Sequence, residues 1–244
     1  MLLFSNLKKY FLESNIYCNN IIHHTNNIVI SSSLFFSSRT LNLPNYVLDL
    51  PTNITYYDSG QPHIQSWVKN SKWNRESDLS TYIEYYEDGQ PKIKIWYEGG
   101  KKHRERDLPA VITYYNHGQL DNKIWYKNGD KHREGDLPAE IYYENGQPKI
   151  QIWYEGGKKH REGDLPAEIK YYYNRQHIKE LWYKGGNKHR VNLPAEIWYY
   201  ENGQLEKELW YQNGKLYREG DLPAFIHYYS NGQIYRPYRR RFSF

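Results

Sequence analysis

Apolar and polar positions alternate with a period of two along most of this chain. In "YIEYYEDGQPKIKIWY", residues 82–97, large side chains change sides at every second position on both flanks of an Asp-Gly pair. Short period-two runs bounded by Gly, Pro, Asn and Asp predict half-buried strands. Gly or Pro interrupts the pattern every ten residues or so, too often for helices.

The pattern repeats. Trp67, Trp96, Trp125, Trp153, Trp182 and Trp210 stand 28 or 29 residues apart, and Asp49, Asp78, Asp107, Asp136, Asp164, Asn192 and Asp221 keep step. One copy reads L-P-A-E-I-x-Y-Y-E-N-G-Q-x-x-x-x-I-W-Y-x-x-G-x-K-H-R-E-G-D. A Gly-terminated turn dipeptide follows each tyrosine pair, as in Asp88-Gly89 and Asn145-Gly146. A second follows Trp-Tyr, as in Gly99-Gly100 and Asn128-Gly129. Both predict type I′ hairpins, whose two central residues need positive φ. The interval between successive turn glycines alternates between 11 and 17–18 residues. The short one reads as a single strand such as "PKIKIWY" (91–97). The long one reads as a strand bent at Gly-Asp-Leu-Pro, because proline lacks a ladder donor. The predicted fold is therefore all-β: an elongated meander of antiparallel hairpins, one layer thick, built from about six repeats over residues 49–235. Two strands per copy advance it by about 10 Å.

Alternation sets Ile95 and Tyr97 on one face and Lys94 and Trp96 on the other, with rings stacking into ladders along both. The fourth copy lacks one residue between Ile141 and its tyrosines, which would flip the register unless a bulge absorbs it. Arg175 replaces a turn glycine. The first copy is degenerate, with Ser71 for Gly and Ser80 for Pro, as suits a terminal cap. Residues 1–48 leave the period and read as a cap or a poorly ordered arm. Residues 236–244 form a basic tail.

Composition follows from the repeat. Aromatic content is 17% and mean hydropathy −0.97, so rings take the place of a thick aliphatic core. Seven tyrosine pairs and five tyrosines after Trp account for 19 of the 27. The single cysteine, Cys18, excludes an internal disulfide framework. No stretch reads as a secretory signal or a spanning helix, and an intracellular location is expected. The net charge is only +5, since 33 basic residues interleave with 28 acidic ones.

"WYEGGKKHRE", "WYKNGDKHRE" and "WYQNGKLYRE", joined to "YYENGQ", resemble MORN-type repeats. The closer likeness is to the variant Y-Y-x-N-G-Q … W-Y-x-N-G-K branch as found in giant DNA viruses, over about residues 49–235. The chain departs from the parent pattern. Lys94, Lys123, Gln151, Glu180 and Glu208 stand where a glycine precedes Trp by two, and Arg104, Arg133, Arg161 and Arg190 replace the glycine after His. The resemblance implies a single-layer β scaffold and, for a viral protein, the host cytoplasm. Membrane attachment and dimerisation belong to the parent family; the departures weaken the transfer of lipid binding.

The most reactive-looking constellation is H-R-E-x-D: His103, Arg104 and Asp107; His132, Arg133 and Asp136; His160, Arg161 and Asp164. A His beside a carboxylate suits acid–base or metal chemistry. An identical group recurring along a solenoid suits structure better. There the Arg pairs with the Asp three residues on, or lies flat on a neighbouring Trp. No nucleotide loop, zinc-protease motif or cysteine site is present. The expectation is a non-enzyme without metal or cofactor: a scaffold whose structural positions are Trp96, Trp125, Trp153, Trp182 and Trp210 with those Arg and Asp residues. Its expected partner is protein. A lipid or carbohydrate module using the aromatic ladders is the alternative, with Arg236, Arg239, Arg240 and Arg241 of the tail meeting an acidic membrane surface. Acidic residues in every copy argue against nucleic acid.

Overall fold

The computed structural model describes residues 49–75 and 78–235 throughout and, before them, five strands. The chain divides into two compact units, Met1–Asn53 and Ile54–Phe244. In the first, Ile22–His24, Asn27–Ile30 and Tyr46–Leu48 form a three-stranded antiparallel sheet, and Ser33–Phe36 pairs with Arg39–Asn42. These strands lie in the stretch read as a cap or arm. The basic tail lies outside the described residues.

The second unit is the predicted meander. Thirteen strands, from Asn53–Tyr56 to Phe225–His227, pair antiparallel in chain order. Each copy places two strands in this sheet, for example Val111–Tyr114 and Leu120–Ile124, with Ile112 opposite Lys123 and Lys123 opposite Ile141 of the next copy. All strand pairs are sequence neighbours apart from the short hairpins that branch off between them.

Those branches correct the strand boundaries. "PKIKIWY" is not one strand: Pro91–Ile95 lies in the sheet, whereas Tyr97–Glu98 pairs with Lys101–Lys102 in a separate two-residue hairpin. Trp96 is the pivot. Its N–H donates to the Ala110 carbonyl at 2.9 Å, while its own carbonyl accepts from the His103 N–H at 3.2 Å. The long glycine interval is likewise not a bent strand. It holds the second half of this hairpin, an irregular loop through Asp107-Leu108-Pro109, and then a sheet strand.

The two turns also differ. The short hairpins are type I′, with positive φ at both centres: 53° and 99° at Asn128-Gly129, and even 52° and 59° at Asn70-Ser71. After the tyrosines a single residue is left-handed in five of the six sheet hairpins, a glycine in four of them. Gly89 N–H donates to the Tyr86 carbonyl, and Tyr86 N–H to the Gln90 carbonyl. This is a three-residue type I turn closed by a left-handed residue. Arg175 takes that place at φ 66°. The fourth copy alone makes a two-residue type I′ turn, Asn145-Gly146. Its missing residue is therefore absorbed in the turn and the register never flips. Tyr143, not Tyr142, is the counterpart of Tyr114. All five complete hairpins from Tyr82 onward carry a bulge at that tyrosine.

The core is thin and shared between copies. Trp125 packs on Ala139 and Ile141 of the following strand, with Tyr143 and Tyr154 beside them; Trp153 and Trp182 repeat the arrangement. Ala110, Ala139, Ala167 and Ala195 are wholly buried. Among the described residues, ring-on-ring pairing of Trp or Tyr from different copies is confined to Trp73 against Tyr82 and Tyr97; elsewhere the tyrosines form hydrogen-bonded and cationic ladders in place of the expected stacks. The hydroxyls of Tyr57, Tyr86, Tyr115, Tyr172 and Tyr200 donate to the backbone carbonyls of Tyr85, Tyr114, Tyr143, Tyr199 and Tyr228. The fourth copy has Glu144 where that donor belongs. The residue two before Trp addresses Tyr114 or its counterpart in the next copy. Gln151, Glu180 and Glu208 accept from Tyr171, Tyr199 and Tyr228, whereas Lys94 and Lys123 lie 5.8 and 5.6 Å from the rings of Tyr114 and Tyr143.

Three phenols, Tyr142, Tyr183 and Tyr228, resist ionisation. Burial first, then the adjacent Glu140 or Glu208 carboxylate, pushes Tyr142 and Tyr228 up to about 12; burial and the charges of Glu168 and Glu196 bring Tyr183 to about 12. A folded-state value above the unfolded one near 10 contributes stability below that pH and loses it as pH rises through the folded value. Stability should therefore fall from about pH 10 towards 12. Phenolate absorbance should show a late phase coincident with loss of β-sheet signal. One simple ionisation near pH 10, with urea melts unchanged up to pH 12, would contradict the ladder.

Candidate functional site

The H-R-E-x-D residues gather on the irregular loops that link each short hairpin to the next sheet strand. Adjacent loops lie side by side, so a residue of one meets residues about 26 positions away. Arg104 clasps Asp78, not Asp107 three residues on. Its Nε and Nη2 donate to the two carboxylate oxygens at 2.7 and 2.9 Å. Arg133 grips Asp107, Arg161 grips Asp136 and Arg190 grips Asp164 by the same two nitrogens. The expected local pair is thus replaced by a clasp between neighbouring loops. Sequence spacing shows local pairs only; the register of the sheet decides this one.

The other expected contact is present in every copy. The Arg guanidinium lies flat on Trp, 3.6 Å from the ring centre for Arg75 on Trp67 and 3.8–3.9 Å for Arg104, Arg133, Arg161, Arg190 and Arg218 on Trp96, Trp125, Trp153, Trp182 and Trp210. The indoles are only 6–8% exposed. Arg Nη1 donates to the carbonyl of the loop proline, as from Arg133 to Pro138 at 3.3 Å. The indole N–H of Trp125 and Trp182 donates at 3.0 Å to the backbone carbonyl of the clasped Asp, which at Asp107 and Asp164 is left-handed (φ 53° and 54°). Asp136 lacks that conformation, and the Trp153 Nε1 has no partner. One Arg thus fastens an indole, a proline carbonyl and an upstream carboxylate. The hydrogen bond from Arg holds the Asp78, Asp107 and Asp136 carboxyls below their usual range.

Two of the histidines fasten the short hairpins, whereas the buried His160 Nδ1 has no hydrogen-bond partner. His103 Nδ1 accepts the backbone N–H of Asn128, and His189 Nδ1 that of Asn213, each at 3.2 Å. An N–H can only donate, so His103 carries its proton on Nε2, which sits 2.9 Å from Glu105 and 3.5 Å from Glu98. Glu155, His160 and Glu162 make a similar cluster. Such clusters bring three ligand atoms within 4.8 Å. A metal on His103 Nε2 would need that nitrogen's lone pair while Nδ1 already uses its own as an acceptor. Its geometry is that of a fastener.

Two sets of residues were not singled out from the sequence. The Lys before His pairs with the Glu after Pro-Ala, and at the buried Glu140 tyrosine hydroxyls join the pair. Lys131 and the hydroxyls of Tyr142 and Tyr154 all reach Glu140, at 2.7–2.8 Å. Burial opposes the Glu140 charge, but these bonds outweigh it and hold the carboxyl below its usual value. Glu168 meets Lys159, and Glu196 meets Lys179 and Lys188. The recurrence of Lys-His and Pro-Ala-Glu was the available signal. The second set is the loop leucines. Leu79, Leu137, Leu165, Leu193 and Leu222 are 41–53% exposed.

Between successive loops lie shallow clefts of about 260–390 Å³, floored by Trp and walled by Arg, His and Leu. No helix among the described residues is long and apolar enough to cross a membrane. Comparison with protein-family models, with curated proteins and with solved structures gives no match.

A solvent-exposed ion pair contributes roughly 0–1 kcal/mol, whereas a guanidinium flat on a desolvated indole reaches about 2 kcal/mol. Arg133→Lys, which loses fork and stacking but keeps charge, should therefore destabilise more than Asp107→Asn in urea melts. Equal losses would make the ion pair the dominant contact.

Proposed function

We propose that the repeat unit is a non-catalytic scaffold that binds protein through the surface formed by its linked loops. The observation that carries this reading is the row of exposed leucines at the loop position of five copies, Leu79, Leu137, Leu165, Leu193 and Leu222, four of them lining a cleft, in a sheet whose other large side chains are mostly covered. Exposed apolar groups in periodic array mark contact surfaces more often than isolated ones do. The reactive-looking groups support it too. The Arg and Asp residues are largely taken up in fastening loop to loop. The resemblance to MORN-type repeats, which are used as scaffolds, points the same way.

The lipid or carbohydrate alternative draws less support. A sugar-binding platform needs an open ring face, and each repeat indole has one face under a guanidinium and little of the rest exposed.

Leu137, Leu165 and Leu193 are exposed, so changing all three to Ser should shift the melting temperature little. Proteins captured by the intact chain should be lost by this triple variant. Equal capture by both would refute the leucine surface. Flotation of the full chain with acidic vesicles, unaffected by the triple substitution, would favour the alternative.

A further inference from the structure

One clasp is missing. In four clefts an Arg grips a carboxylate from the loop before it, Arg104 on Asp78 through Arg190 on Asp164. Arg218 is built into its cleft in the same way. Its guanidinium lies 3.8 Å over Trp210, and Nη1 donates to the Pro223 carbonyl at 3.3 Å. The position 26 residues upstream, however, is Asn192, a neutral amide in a loop one residue shorter than its siblings. Among the described residues, Nε and Nη2 of Arg218, the two nitrogens that hold the carboxylate elsewhere, have no acceptor.

A second donor in this cleft is also unmet. Trp210 is 7% exposed, and its Nε1 has no hydrogen-bond partner. In Trp125 and Trp182 that nitrogen donates to the residue whose carboxylate the Arg holds. Trp153 shares the unmet N–H, but its Arg161 is filled by Asp136. Among the described residues, the Arg218–Trp210 cleft is the one where both are open. Its walls include Val191 and Leu222, 69% and 53% exposed. The acid lining it, Glu219, corresponds to Glu134 and Glu162, which line a cleft whose Arg161 already holds an Asp.

We propose that the Arg218–Trp210 cleft is a binding site for a carboxylate side chain of a partner polypeptide, gripped side-on by Arg218 Nε and Nη2 between the apolar walls of Val191 and Leu222. The chemistry is set by the sibling clefts. Each presents the same fork, and each holds a planar carboxylate with two oxygens at 2.6–3.0 Å. The site rests on the scaffold reading and gives it a partner chemistry, an acidic peptide, but it is tested separately.

The test uses the full chain labelled with ¹⁵N, following the Trp210 indole and Arg218 Nε–H resonances. The probes are the acetylated, amidated tripeptides Gly-Asp-Gly, Gly-Asn-Gly and Gly-phosphoserine-Gly. The Asp peptide should shift both resonances saturably, at least tenfold more tightly than the Asn peptide, with the other five repeat indoles unmoved. Asn192→Asp restores the missing carboxylate from within. It should melt higher than the parent and lose the response at least tenfold, so loss of binding cannot be ascribed to misfolding; Arg218→Gln should lose it as well. The site is refuted if the Asp and Asn peptides act alike or if Asn192→Asp responds like the parent. Tighter binding of the phosphoserine peptide would overturn the carboxylate assignment. Loss of the leucine surface with this response intact would count against the scaffold reading alone.

Discussion

The repeat unit depends on how an indole is covered. A tryptophan side chain buries roughly 150–250 Å², more than one hairpin of a single-layer sheet can hide. Each is therefore closed from outside its own hairpin. The loop that follows lays a guanidinium on one face, and the next sheet strand supplies Ala and Ile. The alanines are wholly buried because the indole occupies the space a larger side chain would need. Stability is then a nearest-neighbour property, as in other solenoids. A copy without a successor has an uncovered ring, which is why the same residue types return at each step.

Covering rings with cations rather than aliphatic groups explains how so polar a chain packs. Lys102, Lys131, Lys159 and Lys188 lie 4.7–5.2 Å from the rings of Tyr126, Tyr154, Tyr183 and Tyr211 in the next copy. Three of these ammonium groups also meet a carboxylate, that of Glu140, Glu168 or Glu196. Buried charges are tolerated when every lone pair and proton is used. Glu140, with a lysine and two tyrosine hydroxyls, approaches that condition through three donors. Position by position the ladder exchanges hydrogen bond for cation–π contact, as where Gln151 or Lys123 faces a tyrosine. Charge can vary along the sheet while its geometry stays constant.

What was legible in the sequence was local. The period, the paired turns, the strand alternation and the Arg–Trp contact all depend on neighbours in the same or adjoining hairpin. The carboxylate partner of each Arg was not legible. It depends on which loops lie side by side, and a tempting Asp stood three residues away. Turn type was countable in retrospect. Three residues separate Tyr86 from Gln90, but only two separate Glu144 from Gln147, and loop length selects the turn. The break at Trp96 had no local signal, since Ile95-Trp96-Tyr97 reads as uninterrupted strand. It arises because the bulky ring turns towards the following loop and the chain changes ladders there.

Imperfect copies carry more information than the consensus. Where a residue changes and its contact is replaced, as when Lys123 stands for Gln151, the change reports tolerance. Where a contact is lost and the machinery that held it remains, the change opens a site. Arg218 is of the second kind. Flat on Trp210 and tied to the Pro223 carbonyl, it keeps the posture of its siblings without the acid that elsewhere completes it. A side chain already fixed loses little entropy when a ligand arrives, and pre-organisation of that sort favours binding. The cost to the fold is small, because an exposed ion pair contributes roughly 0–1 kcal/mol and the indole stack survives. A sheet fastened at every step by modest, separable contacts can thus release one of them for recognition without loosening the rest.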